Sequence, residues 1–315
     1  MHRRNEFDVE NRINTTEPDA VSREVCGIYQ DLYQKAEPGN IGQAYHDIAD
    51  LYRGEYPGYY ACDTSYHDIQ HVLDVTLAMA RLMDGAARAT TIDVLTERLF
   101  RFGIVTALYH DCGYIRHRKD TRHANGAEYT KTHVSRGGRF LEDYLVKLGM
   151  GDLAPYASRT LHFTGYEVPI DKIRIDPEYR LIGQLLGSAD ILAQMADRCY
   201  LEKCYDRLYP EFVSGGIARH TTPEGKEEVV FESAADLIFQ TPRFYHSAQK
   251  RLNVDLGGYC KYVEKHFGGE NLYFVELDKN IEHARKIADR EDLSMLRRKP
   301  PETCAAGEGE AARLI

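Results

Sequence analysis

The 315-residue chain carries 40 Lys and Arg against 49 Asp and Glu, a formal charge of −9, with 43% hydrophobic and 28% charged residues. This is the composition of a globular protein, with chain enough to bury a sizeable core in one large domain or two modest ones. The net acidity argues against a nucleic-acid polymer as partner, because phosphate backbones select clustered Lys and Arg.

The first residues (MHRRNEFDV) lack the apolar run of a secretory signal, and residues 1–17 read as a flexible, polar start. The spacing of Val21, Val25, Ile28 and Leu32 predicts a helix over Pro18–Lys35, and a shorter one follows at Tyr45–Tyr52. After the Gly/Pro/Tyr-rich turn Gly54–Tyr60, a stripe of Ile69, Val72, Thr76, Met79 and Met83 predicts a long helix over Ser65–Met83. The next helix, Asp93–Asp111, contains the uncharged run Phe102–Tyr109 and is expected at the centre of the core. A basic loop, Ile115–His123, leads into a helix over Gly126–Leu148, with another around Leu153–His162. Leu181–Met195 predicts a buried helix continuing into Asp197–Phe212. Gly215–Glu228 reads as polar loop, Lys226–Phe231 is the sole strand candidate, and helices over Ser233–Phe267 and Leu277–Arg298 complete the elements. The expectation is one all-α domain over residues 18–298 with appended terminal helices, followed by a disordered, Pro/Gly/Glu-rich tail at 299–315. The most apolar windows fall short of the roughly 20 residues a membrane span needs, so no membrane partner is expected. Seven cysteines without a CxxC pair suit a reducing, cytoplasmic setting.

Chemistry-bearing residues cluster at five places. His67 and His71, four apart, would share one helix face at the margin of the buried side. Taken alone, the pair describes an ordinary polar face equally well. His110-Asp111 ends the uncharged helix, where a carboxylate is costly unless paired or bound to metal. Asp190 is the only charged side chain between Leu181 and Met195, so it needs either a metal or a basic side chain from another element. His133 lies on the stripe of its helix and His162 near a helix end, where each alone is an ordinary core histidine. Their order matters more than any one of them. Mixed imidazole and carboxylate ligands suit Mn, Mg, Zn or Fe, and six groups match one or two divalent ions that activate water.

These residues resemble the HD-domain superfamily of metal-dependent phosphohydrolases, whose signature of His, His-Asp and Asp falls here on His71, His110, Asp111 and Asp190. The stretch Tyr66–Val75 (YHDIQHVLDV) is further similar to the catalytic motif of cyclic-nucleotide phosphodiesterases. The resemblance spans about residues 60–215 and implies a helical bundle holding a binuclear metal site. It implies metal ligation by His71, His110, Asp111, His133, His162 and Asp190, and it makes His67 the acid that protonates the leaving oxygen. The chain departs from that family at Cys112-Gly113-Tyr114, where the phosphodiesterases have Asp-His and many bacterial relatives place a Lys. It also lacks the Gly-Tyr-Pro signature of cyclic-di-GMP hydrolases. The purine-gripping glutamine has two candidates, Gln240 and Gln249.

The implied reaction is hydrolysis of a phosphodiester or phosphomonoester of a nucleotide-like small molecule. Arg116, Lys119, Arg122 and Arg136 are the side chains expected to bind this anionic substrate. Two other classes share the pattern: a di-iron oxygenase with the same ligand order, and a non-catalytic nucleotide-sensing module.

Overall fold

The computed structural model describes residues 3–34, 37–89, 95–222 and 225–302. It is all-α apart from a two-stranded hairpin. In chain order the helices are α1 (Pro18–Tyr33), α2 (Ile41–Arg53), α3 (Ile69–Arg88), α4 (Glu97–Leu108), α5 (His133–Lys147) and α6 (Ala154–Leu161). They continue as α7 (Pro177–Ala196), α8 (Tyr200–Lys203), α9 (Tyr209–Ser214), α10 (Ala234–Lys250), α11 (Val263–Phe267) and α12 (Leu272–Arg290). Strands β1 (Arg219–Thr221) and β2 (Glu227–Val229) pair antiparallel, Arg219 opposite Val229. No described helix is long and apolar enough to cross a membrane.

Helix α3 is the axis. It is buried on nearly every side and packs against α1, α4, α7 and α11. The uncharged run of α4 sits in the same core, with Phe102, Ile104, Val105 and Leu108 fully buried. The predicted helices are therefore present, but several boundaries move, and the moves matter for the site. Helix α3 starts at Ile69 rather than Ser65, because Asp68 turns back to accept the His71 N–H at 2.9 Å and caps it. His67 consequently stands in the turn before the helix, not one turn below His71. Helix α4 ends at Leu108, so His110 and Asp111 lie in the turn that follows. The Gly126–Leu148 prediction divides into a 3₁₀ turn at Gly126–Tyr129 and α5, which begins at His133 itself. The Ser233–Phe267 prediction likewise divides into α10, a π-turn at Arg251–Asp255, a 3₁₀ turn and α11.

Residues 3–17 do not fray. Phe7 bridges Asn14, and Asp8 is buried against Arg81 of α3 at 2.5 Å, so an ion pair holds the segment where its polarity suggested solvent. At the other end, residues 299–302 are docked: the Lys299 carbonyl accepts from Asn5 at 2.9 Å, and the Pro301 carbonyl accepts from Arg207 at 2.5 Å. Residues 303–315, the rest of the expected disordered tail, lie outside the described residues.

One glycine closes the site. A Cβ on Gly113 would sit 1.8 Å from the carbonyl oxygen of His133, so only glycine lets the turn after α4 meet the start of α5. That contact brings Asp111 next to His133.

Candidate metal centre

Asp111 is the hub. It is 3% exposed, and three imidazoles reach its carboxylate. His71 Nε2 is 3.3 Å and His110 Nε2 3.1 Å from Oδ2, while His133 Nε2 is 3.6 Å from Oδ1. Asp190, on α7, completes the group with its Oδ1 3.4 Å from His71 Nε2. His71, His110 and Asp111, all buried, offer ligand atoms within 4.8 Å of one another and could hold a metal ion.

The hydrogen bonding behind these rings tests that fit. His110 Nδ1 is 2.8 Å from the Ala107 carbonyl and His133 Nδ1 is 2.7 Å from the Thr130 carbonyl. A carbonyl only accepts, so each Nδ1 carries the proton and, in the neutral ring, Nε2 presents a lone pair. Those lone pairs face carboxylate oxygens, a repulsive arrangement unless a cation lies between them. His110 Nε2 is also buried without a hydrogen-bond partner among the described residues. Imidazoles fixed through Nδ1 and open at Nε2 are the usual arrangement of metal-ligating histidines. Burial opposes the charged form of His71, yet its hydrogen bonds to Asp111 and Asp190 outweigh this and push its pKa up to about 10. His110 is raised in the same way by Asp111, against its burial. Burial would raise the Asp111 carboxyl, but the imidazoles of His110 and His71 hold it well below the usual carboxylate range. His133 is lowered, chiefly by burial.

His162, at the C-terminal end of α6, stands apart. Its Nδ1 is buried and unpartnered among the described residues, but no ion-pair contact within 4.0 Å joins it to Asp111 or Asp190. Burial lowers its pKa. It is a further unsatisfied imidazole rather than a member of the close group.

His67 reaches the site by a different route from the one its spacing suggested. Its Nδ1 is 2.6 Å from Glu211 Oε2, and the other oxygen of Glu211 accepts the Tyr66 N–H at 2.5 Å. Its ring lies 5.8 Å from that of His71, nearly perpendicular to it. Tyr114 stacks on both His67, at 4.3 Å, and His133, at 4.4 Å. The sequence pattern did not single out Glu211 or Tyr114. Glu211 lies 144 residues beyond His67, and Tyr114 drew notice only as a departure from a motif. Glu167 was also missed. It accepts the N–H groups of Val134 and Ser135, satisfying the start of α5 and fixing His133 there.

His67, His71, Asp111, Tyr114, His133 and Asp190 open onto one cavity of about 630 Å³, walled also by α9, α10 and the hairpin. The four expected anion-binding side chains do not line it. Arg116 is taken by Asp63 at 2.7 Å, and Lys119 and Arg122 are exposed. Arg136 clamps the Gly113 and Ile115 carbonyls beneath the site, its guanidinium 3.4 Å from the Tyr129 ring centroid. The cations of the cavity wall are instead Lys131, Arg243 and Arg251. Of the two candidate glutamines, Gln240 lines the cavity, while Gln249 donates to the Tyr245 hydroxyl at 2.6 Å. No protein-family model, curated protein or solved structure matches this chain.

Proposed function

We propose that the protein is a metal-dependent phosphohydrolase acting on a phosphodiester or phosphomonoester in the 630 Å³ cavity. The observation that carries this reading is the convergence of His71, His110 and His133 on the Asp111 carboxylate at its floor, an arrangement that a bound cation would reconcile. His71, His110, Asp111 and Asp190, with His133 beside them, would hold a divalent metal, which would supply Lewis acidity and lower the pKa of water bound to it. Both oxygens of Asp111 meet imidazoles, Oδ2 facing His71 and His110 and Oδ1 facing His133. Mn, Mg, Zn and Fe all suit such ligands.

The chain's own contribution to proton transfer is His67. Glu211 accepts from Nδ1, so it is the imidazolium form of His67 that would give its Nε2 proton to a departing alkoxide, leaving the Nδ1–H hydrogen-bonded to Glu211. Tyr114 stacks on the His67 and His133 rings, at 17° and 19° to its own plane, with the two histidine centroids 6.4 Å apart. The acid is thus registered against a ligand ring.

The test is hydrolysis of a phosphoester panel (cyclic AMP, cyclic GMP, nucleotides and a chromogenic diester) by protein reloaded with Mn²⁺, with Asp111→Ala as control. Turnover that disappears in the variant supports the reading. A folded, metal-loaded protein that turns over nothing overturns it, and iron content with O₂ uptake then tests the oxygenase alternative.

A further inference from the structure

We propose that the alcohol part of the substrate is apolar, so that the cavity takes an amphiphilic phosphoester rather than a nucleotide. This rests on the hydrolase reading of the same site. Beyond the metal ligands, the wall is built from Leu208, Phe212, Ile217, Phe231, Leu237 and Phe244. Phe212 and Phe231 stack with centroids 5.8 Å apart. The hairpin base fixes both: the Phe212 carbonyl accepts from Ile217 and Ala218, and Phe231 N–H donates to Ala218.

Several polar side chains of that wall are committed elsewhere. Gln240 directs its amide N–H groups to the Asp236 carboxylate and the Val230 carbonyl. Gln194 hydrogen-bonds Tyr66, and the Thr241 hydroxyl donates to the Leu237 carbonyl. Arg251 donates to the carbonyls of Phe163, Thr164 and Gly165. Reading a nucleobase needs free, directional donors and acceptors, because a site specifies a polar group by hydrogen-bonding it. This wall offers area instead, and apolar area selects apolar ligands.

The rim agrees. Tyr166 and Phe244 line the cavity yet are 75% and 42% exposed. Val213 and Val230, next in sequence to the lining residues Phe212 and Phe231, are exposed as well. An apolar collar continuous with an apolar wall accommodates a chain longer than the cavity. Lys131 and Arg243, exposed at the same cavity and without ion-pair partners among the described residues, supply positive charge for the phosphoryl group on entry.

The test separates the two readings. Binding of n-alkylphosphonates from methyl to octyl, which have no ester bond to hydrolyse, is measured by calorimetry on the metal-loaded protein. In parallel, kcat/KM is measured for the matching alkyl phosphates, AMP and cyclic AMP. Affinity is expected to rise roughly fourfold per buried methylene, and octyl phosphate is expected to be turned over faster than either nucleotide. Phe244→Ser, at an exposed position that folding does not depend on, should flatten the gradient, and Phe231→Ser should flatten it further. Equal affinity from methyl to octyl, or a nucleotide preferred over octyl phosphate, overturns the inference. Turnover without a gradient removes the apolar alcohol and leaves the hydrolase. A gradient without turnover removes the hydrolase and keeps the apolar cavity.

Discussion

Helix α3 carries two buried charged clusters, and they are built on opposite principles. Towards its C-terminal half, Arg81 is fully buried and donates to Asp8, Glu10 and the Tyr273 hydroxyl at 2.5, 2.8 and 3.1 Å. The anions there find their cation within the chain, and the pair ties the N-terminal segment to the core. At the other end, His71 joins His110, His133, Asp111 and Asp190, where carboxylates meet imidazole lone pairs and no Lys or Arg pairs with either carboxylate among the described residues. A cluster that neutralises itself is scaffolding. One whose carboxylates have imidazoles rather than a Lys or Arg beside them could hold a cation from outside.

The sharpest way to break this contrast is Asp111→Ala. If the cluster holds metal, phosphoester turnover should fall by at least about 10³-fold, and saturating Mn²⁺, expected to raise the Tm of the unsubstituted protein, should no longer do so. A variant that retains activity and the metal-induced shift would make the cluster structural. Arg81→Met should do the reverse. It strands Asp8 in the core and should cost roughly 3–5 kcal/mol of stability in a denaturant titration, while activity per folded molecule stays near normal. Loss of activity without loss of stability would place Arg81 in the wrong category.

Glu211→Gln probes the proton path rather than the ligands. Removing the carboxylate behind His67 should lower kcat roughly 10- to 100-fold with metal content unchanged, and a matching loss of metal would instead make Glu211 a structural support of the centre. The smallest effect concerns acid. Burial raises the Asp8 carboxyl, but Arg81 and the N–H groups of Ile13 and Arg12 outweigh it and hold it below the ordinary value. A carboxyl depressed in the folded state contributes its full stability above the unfolded pKa, about 3.9, and loses it as pH falls through the folded value. Tm should therefore drop below about pH 4, with a shallower slope in Asp8→Asn. Equal slopes would show that other carboxyls govern acid unfolding.

Much of the fold was legible because burial writes itself into periodicity. The stripe Ile69–Met83 and the uncharged run Phe102–Tyr109 marked α3 and α4, and the isolated charge of Asp190 marked a residue that does face the site. What misled was the treatment of helix ends. Spacing placed His67 one turn from His71 on a single helix, but the Asp68 cap starts α3 at Ile69, and His67 reaches the cavity from the preceding turn. The basic loop Ile115–His123 illustrates the other limit. Its charge is plain in the sequence, but the Arg116 carboxylate partner, Asp63, lies 53 residues away and no local pattern announces it.

By itself, then, the sequence pointed to a helical chain, to central α3 and α4, and to His71, His110, Asp111 and Asp190 as one group, which the fold does bring together. Helical periodicity and the cost of burying charge are local properties, written in order along the chain. Only the tertiary structure decided which imidazole nitrogens face Asp111, that Glu211 stands behind His67, that Tyr114 stacks on both His67 and His133, and that the cavity wall is apolar. These depend on contacts between residues far apart in sequence, such as Gly113 letting one turn touch the start of α5, and no spacing rule encodes them.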